Sequence, residues 1–182
     1  GLETDELERF LRREGVRKVS ARDIPSAMAH GGDGATTVAA TLALASQVGI
    51  QVFATGGIGG VHRDAPFDES ADLLELSRTS MIVVCAGAKS ILDLGATWER
   101  LETLGVPVVG YRTSELPGFF TAETGIRLDS RADEPGDIAA IWRAHRSLGR
   151  AQSLLVVQAP PPEHALERKE MESVIGEAQV EA

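Results

Sequence analysis

The segment Met81-Ile82-Val83-Val84-Cys85-Ala86-Gly87-Ala88-Lys89-Ser90 joins a short apolar run to a glycine turn that carries one lysine. A run of six apolar residues is typical of a strand buried inside a parallel sheet. Residues 50–54 form a second apolar run, which enters the glycine-rich turn 55–60. Since helical patterns follow both runs, we predict an α/β fold.

The rest of the chain repeats this alternation of short apolar runs and helical spacing. We predict a layered α/β/α sandwich with a largely parallel or mixed central sheet. Residues 1–166 are expected to form one core, and residues 167–182 a polar helical tail that is loosely attached. The predicted strands are 16–20, 50–54, 81–86, 106–111 and 154–157, and the predicted helices are 2–14, 33–49, 70–77, 97–104, 133–148 and one beyond 162.

Composition narrows the functional classes. The 182 residues, 43% of them hydrophobic, suit one globular domain. A net charge of −9 without a dense basic block argues against a nucleic-acid partner. The single cysteine, Cys85, lies in an apolar run, which predicts a buried structural thiol in a reducing compartment. Apolar stretches are far shorter than the roughly 20 residues of a membrane span, so we expect a cytoplasmic protein with no membrane partner.

The first glycine-rich turn has the composition of an anion-binding loop. In the stretch 55–63, four glycines allow backbone amides to approach an anion, and Thr55, His62 and Arg63 can add donors. This pattern favours a phosphate. It is not the dinucleotide-binding fingerprint, because His62 stands where the third glycine would be. A purely structural turn remains the alternative.

Lysine is scarce, with three residues against fifteen arginines, and Lys89 lies among small and apolar neighbours at a strand end. A desolvated lysine can become a neutral amine that attacks a carbonyl carbon and forms a Schiff base. The alternatives are a lysine that extends to the surface or binds a phosphate. Lys18, between apolar residues of the first strand, is a second candidate for phosphate binding or simply a surface residue.

Between the two turns, four acidic residues fall within nine positions: Asp64, Asp68, Glu69 and Asp72. Carboxylates in this number can bind a hard divalent cation. They can equally complement the dipole of a helix that starts here, with Ser70 as its N-cap. The sequence alone leaves both interpretations open.

Five segments, taken in chain order, resemble successive motifs of the pseudouridine-5′-phosphate glycosidase family. The similarity extends from the first helix to the region near Pro162, and the order of five long motifs is far more specific than a single glycine loop. The segments are 16–20 (VRKVS), 33–41 (DGATTVAAT), 53–63 (FATGGIGGVHR), 70–73 (SADL) and 83–93 (VVCAGAKSILD).

The resemblance implies a manganese-dependent homotrimer that reversibly cleaves the carbon–carbon glycosidic bond of pseudouridine 5′-phosphate, giving uracil and ribose 5-phosphate. By motif position, Lys89 matches the nucleophile that forms an imine with the sugar's anomeric carbon after ring opening, and Asp68 matches the metal ligand. The positions that match substrate contacts are Lys18, Val38, Ser70, Ala71 and Asp72, with Thr55 and His62 expected to join Lys18 around the phosphate.

Three departures from the family pattern bear on activity. The family's proton-donating glutamate lies in an N-terminal segment that is not in this sequence, so we expect the chain alone to lack one catalytic group. Glu69 replaces an apolar residue and is expected to perturb or supplement the cation site. Ala159-Pro160 replaces an Asn-Pro, and C-terminal elements are missing. The alternatives are a non-catalytic sugar-phosphate-binding module and a different lysine-imine enzyme.

Overall fold

The computed structural model describes residues 2–13, 15–63, 65 and 67–181. The helices are α1 (Thr4–Arg12), α2 (Ile24–His30), α3 (Val38–Gln47), α4 (Ala71–Arg78), α5 (Leu94–Thr103), α6 (Pro135–Ser147) and α7 (Arg168–Glu181). The strands are β1 (Arg17–Val19), β2 (Gly34–Thr36), β3 (Val52–Ala54), β4 (Val61–His62), β5 (Ile82–Cys85), β6 (Leu92–Asp93), β7 (Val108–Tyr111), β8 (Arg131–Ala132) and β9 (Leu154–Val157).

The centre of the fold is a sheet of five strands in the order β3-β5-β9-β7-β8, in which every neighbouring pair is parallel. In its middle, β5 and β9 are in register from Ile82 opposite Leu154 to Cys85 opposite Val157. The prediction of an α/β fold with a largely parallel sheet is therefore confirmed.

Helices cover both faces of the sheet, as an α/β/α sandwich requires. Because strand side chains alternate between faces, Val83 and Leu155 pack in one cluster with α3, α4 and α5, while Leu154 and Val156 pack on the other face against α6. Burying each such aliphatic side chain stabilises the fold by about 1.5–3 kcal/mol.

Three predicted elements are placed differently. The strand predicted at 16–20 forms as β1, but it pairs with β2 in a separate two-stranded parallel sheet. The predicted buried strand 50–54 forms as β3 at the sheet edge, where Val52 is 58% exposed. The helix predicted from Asp33 begins at Val38, because Thr37 is the N-cap and Asp33 is paired with Arg9 at 2.7 Å.

The sequence did not indicate helix α2, strand β8 or the antiparallel pair of β4 and β6. Strands of two residues are too short for a periodic pattern, so only tertiary pairing reveals them.

The terminal helix forms as predicted, but it is not loosely attached. Glu172 is paired with Arg63 at 2.9 Å, Arg168 donates to the carbonyl of Thr124 at 2.6 Å, and Ile175 is 5% exposed. Helix α7 is thus part of the packed fold.

Candidate active site on the paired turns

The two glycine turns that follow β3 and β5 lie side by side and prolong the pairing of these strands. We call the segments 55–60 and 86–90 the paired turns. Four backbone hydrogen bonds join them to each other and to the strands: Thr55 N–H to Val84 O at 2.9 Å, Ala86 N–H to Gly56 O at 2.9 Å, Ile58 N–H to Gly87 O at 3.1 Å and Lys89 N–H to Ile58 O at 3.1 Å.

The register of the paired turns determines which residues share a face. Ile58 and Ala88 are parallel bridge partners, and both are buried in the core. Since neighbouring residues of an extended chain point to opposite faces, Gly57, Gly59 and Lys89 face away from that core. We call this the outer face. Adjacent strands lie about 5 Å apart, so Gly59 and Lys89 are direct neighbours across the turns.

Asp72 and Ser70 lie against Gly59 on the outer face. A methyl group on Gly59 would be 2.9 Å from Asp72 Oδ2 and 2.5 Å from Ser70 Cβ, which is too close for any side chain larger than hydrogen. The Gly59 N–H donates to Asp72 Oδ2 at 2.8 Å. Glycine is therefore required here by close packing within the protein.

The second oxygen of Asp72 reaches another element. Asp72 Oδ1 accepts a 2.8 Å hydrogen bond from the N–H of Ala39 in the first turn of α3, and the residue is 5% exposed. The positive end of the helix dipole favours a carboxylate at this place. Asp72 thereby joins α3, which begins at Val38, to the first glycine turn. Its predicted contact with substrate stays a prediction.

Ser70 is the N-cap of α4, as its position before an acidic first turn suggested. Its Oγ accepts from Asp72 N–H at 3.2 Å, its own N–H donates to Gly60 O at 2.9 Å, and Ala71 is the first helical residue. The cap fixes both residues beside the paired turns.

Lys18 and Thr55 border the same region. Lys18 is exposed on β1, and the following residue, Val19, accepts the N–H of Thr37 at 2.9 Å, directly before α3. Thr55 is half-buried at the start of the first turn. Hydrogen bonds therefore join Asp72 to Ser70, to Gly59 and to Ala39, the residue after Val38, while Lys18 lies one residue before Val19.

The Lys89 side chain is exposed, while its backbone is held on both sides. Its N–H donates to Ile58 O, and its carbonyl accepts from Leu92 N–H at 3.0 Å. The turn is thus fixed and the amine can move. The desolvated lysine that the sequence suggested is therefore not present in the chain by itself. Water would be displaced from the Lys89 amine only by a bound ligand or by another polypeptide segment.

Arg63 does not act as a phosphate donor in this structure, contrary to the expectation from the glycine loop. Its guanidinium donates to the carbonyls of Leu92 at 3.2 Å and Ser90 at 3.1 Å, and it pairs with Glu172. This ion pair holds the pKa of Glu172 below its usual range. Arg63 therefore connects the segment after Lys89 to α7.

The acidic residues predicted to bind a cation separate in the structure. Asp64 lies outside the described residues. Glu69 forms a bidentate pair with Arg100 at 2.6 and 2.9 Å, and its expected effect on the cation site stays a prediction. Asp68 is exposed, with Oδ2 3.6 Å from His62 Nδ1.

Within residues 2–13, 15–63, 65 and 67–181, no group of three His, Cys, Asp or Glu side chains is arranged to bind a metal ion. The donors present do not form an all-protein cage. They fit a cation held by one carboxylate, that of Asp68, with water and substrate oxygens as the other ligands, which is a common arrangement for divalent ions that act on phosphates.

Phe119, which the sequence analysis did not single out, reaches the outer face from a distant loop. Its N–H donates to Ala86 O at 2.9 Å, and a methyl group on Gly57 would lie 2.7 Å from its ring carbon Cε2. Phe119 adopts φ +69°, in the left-handed region that bulky residues rarely occupy. The sequence around it, Pro117-Gly118-Phe119-Phe120, carries no pattern that indicates this contact.

Cys85 lies beneath the paired turns as a buried thiol. Burial raises its pKa to about 11, although hydrogen bonds from the backbone of Gly87 and Ile58 oppose that rise. The predicted structural role of this cysteine agrees with its surroundings.

A cavity of about 520 Å³ lies between the segment after Lys89 and helix α7. Arg63, Ser90 and Glu172 are among the residues that line it, but Lys89 is not. We place the candidate active site on the outer face of the paired turns, where Lys89 lies beside Gly59 and the packed side chains of Ser70 and Asp72.

Comparisons with known proteins show the family of the chain. A family model described as "Indigoidine synthase A like protein" matches residues 1–182. Over 166 residues the chain is 72% identical to the pseudouridine-5′-phosphate glycosidase of Gemmatimonas aurantiaca, covering 91% of the chain and 54% of that protein. The glycosidase of Herpetosiphon aurantiacus is 55% identical over 184 residues, with coverages of 100% and 61%.

Two solved structures are closely similar. The prealnumycin C-glycosynthase AlnA, in complex with ribulose 5-phosphate, has a TM-score of 0.94 and 44% identity, covering 100% of this chain and 60% of that one. An indigoidine synthase A-like protein of Thermotoga maritima has a TM-score of 0.91 and 40% identity, with coverages of 97% and 59%. The chain thus spans 54% to 61% of the length of these relatives. Among the described residues, no helix has the length and apolar character needed to cross a bilayer.

Proposed function

The chain belongs to the family of Indigoidine synthase A like proteins, and from this membership we propose that it carries part of a pseudouridine-5′-phosphate glycosidase. The reaction is the reversible cleavage of the carbon–carbon bond between ribose and base, giving uracil and ribose 5-phosphate. Relatives named for this activity, at 72% and 55% identity, support the proposal.

The observation that carries the proposal is the position of Lys89 on the outer face. The register of the paired turns sets Lys89 beside Gly59, against which Ser70 and Asp72 pack. An exposed amine on a fixed backbone, next to a helix N-terminus and hydroxyl donors, suits an aldose phosphate whose carbonyl carbon the amine attacks.

In the cleavage direction, the bond between C1′ and the ring oxygen breaks, and the ring oxygen takes up a proton to become the C4′ hydroxyl. Lys89 Nζ bonds to C1′ with loss of one proton. The bond from C1′ to the base carbon then breaks as the C1′–Nζ imine forms, and the base carbon takes up a proton. Water hydrolyses the imine to ribose 5-phosphate and free Lys89. A carbon leaving group departs poorly, and the imine provides the electron sink that simple acid catalysis lacks.

Lys18, Thr55 and His62 are proposed to bind the phosphate, and Val38, Ser70, Ala71 and Asp72 to contact the substrate. Asp68 is the residue proposed to hold a divalent cation, expected to be Mn²⁺. Such an ion would polarise substrate oxygens and neutralise phosphate charge. The exposed carboxylate of Asp68 beside His62 supports this assignment.

Borohydride trapping tests the proposal. The chain is incubated with ribose 5-phosphate and Mn²⁺, reduced, digested and analysed by mass spectrometry for an adduct. With only three lysines, the site of modification is unambiguous. We expect the adduct on Lys89, its loss in Lys89→Met and its retention in Lys169→Met, a matched control at an exposed position of helix α7. An adduct that persists in Lys89→Met, with the fold intact by circular dichroism, would refute the assignment.

A second candidate function is carbon–carbon bond formation with another aglycone. The similarity to a C-glycosynthase, at a TM-score of 0.94, supports this alternative. Trapping an imine with ribose 5-phosphate, without any release of uracil from pseudouridine 5′-phosphate by the complete enzyme, would favour it.

A homotrimeric assembly and a cytoplasmic location are further parts of the proposal. Size-exclusion chromatography with light scattering tests the first, and a mass below that of three chains would contradict it. Cell fractionation tests the second.

A further inference from the structure

We propose that Phe119 is a specificity-determining residue whose ring contacts the planar base of the substrate on the outer face of the paired turns. This inference rests on the proposed function and adds to it the group that recognises the base. Three observations carry it, concerning the position of the ring, the conformation of its backbone and the chemistry of the surrounding residues.

The ring of Phe119 lies on the same face as Lys89. Gly57 points to the outer face, and the Phe119 ring occupies the space where a side chain at Gly57 would lie, with Cε2 2.7 Å from a methyl group placed there. The ring edge also touches the position of Gly56, at 3.4 Å. Phe119 is half-buried, so part of its ring remains accessible beside the Lys89 turn.

The backbone around Phe119 is held in an unfavourable conformation. Its φ of +69° is strained for a residue with a Cβ and an aromatic ring. The Phe119 N–H donates to Ala86 O, and the preceding residue, Gly118, forms an antiparallel β-bridge with Gly87. Ser90 Oγ also donates to Gly118 O at 2.6 Å. The second of the paired turns therefore fixes the strained residue, and strain of this kind concentrates at functional sites.

The chemistry of the outer face separates into two parts that match the two parts of the proposed substrate. Lys18, Ser70 and Lys89 offer charge and hydroxyl donors that suit a sugar phosphate. Phe119 offers an aromatic surface, which suits a planar pyrimidine, since stacking of a base on an aromatic side chain is a general and favourable contact. The ring is thus placed to bind the leaving group rather than the sugar.

The experiment compares two ligands and two neighbouring phenylalanines by isothermal titration calorimetry with Mn²⁺ present. In Phe119→Leu, we expect the Kd of pseudouridine 5′-phosphate to rise on the order of tenfold, with the Kd of ribose 5-phosphate unchanged. The control is Phe120→Leu, which removes a ring that is 46% exposed and packs edge-on against Phe119, with 4.5 Å between centroids. It should change neither value.

A merely structural role for Phe119 predicts equal weakening of both ligands, and that result would overturn the inference, as would no change for either ligand. Phe119→Tyr retains the ring and should restore binding of pseudouridine 5′-phosphate, which keeps the test valid if the leucine variant does not fold. Failure of the unmodified chain to bind ribose 5-phosphate would instead overturn the proposed function, and this inference with it.

Discussion

Replacing Asp72 by asparagine tests whether this carboxylate holds α3 against the glycine turn. In the structure, its two oxygens accept the N–H groups of Ala39 and Gly59, both at 2.8 Å, and the residue is 5% exposed. Asparagine keeps one acceptor but turns its amide nitrogen toward the other N–H, which then lacks an acceptor. A hydrogen bond to a charged group contributes about 1.5–3 kcal/mol, and an orphaned buried donor costs about 1–3 kcal/mol.

We therefore expect Asp72→Asn to lower the free energy of unfolding by about 2–4 kcal/mol. The assay is urea denaturation at pH 7, followed by circular dichroism. The matched control is Asp93→Asn at the N-cap of α5, where the carboxylate accepts Ala96 N–H at 2.9 Å in an exposed position. Since Asn and Asp are comparable N-caps, the control should change stability little. A loss for Asp72→Asn no larger than that of the control would refute this reasoning.

Three further predictions concern titration and metal binding. Because Arg63 lowers the pKa of Glu172 from 4.5, their pair stabilises the docking of α7 above about pH 4.5 and loses that effect as pH falls through the lowered value. The protection factors of α7 amides, which correct exchange rates for the intrinsic effect of pH, should fall between pH 6 and 3, and Glu172→Gln should remove the pH dependence that this pair causes. Cys85, with a pKa raised to about 11, should resist iodoacetamide at pH 8 until guanidinium unfolds the chain; labelling of the native protein would contradict its burial. Asp68→Asn should weaken Mn²⁺ binding in a calorimetric titration. Glu69→Gln should not weaken it, because the Glu69 carboxylate is already paired with Arg100; equal effects of the two substitutions would place the ion elsewhere.

Much of the fold follows from local pattern because its central strands are short apolar runs. The strand predicted at 154–157 forms with those bounds as β9, in the middle of the sheet. The local pattern gives the wrong helix start where two residues are both suitable N-caps. Asp33 and Thr37 are both good N-cap types, and the choice between them depends on β2, which forms only through pairing with β1.

The candidate site also has features that the sequence predicts and features that depend on tertiary contacts. Two strands that are neighbours in a parallel sheet bring their following loops to one edge, so the adjacency of the two glycine turns was accessible from sequence. Phe119 was not, because it arrives from a loop some thirty residues beyond Lys89 and its contact with Gly57 has no local pattern. The separation of Glu69 from Asp68 depends on Arg100, a residue of α5.

The glycines of the first turn serve a different purpose from the one their composition suggests. Two of its central amides are used within the protein: Ile58 N–H donates to Gly87 O, and Gly59 N–H donates to Asp72. These amides are therefore not available to cradle a phosphate. The absence of a side chain at Gly59 instead allows Asp72 and Ser70 to approach the strand next to Lys89. A phosphate on the outer face then needs side chains in addition to the amides of the glycine loop. That requirement supports the proposed role of the exposed Lys18, one residue before the strand end that contacts α3.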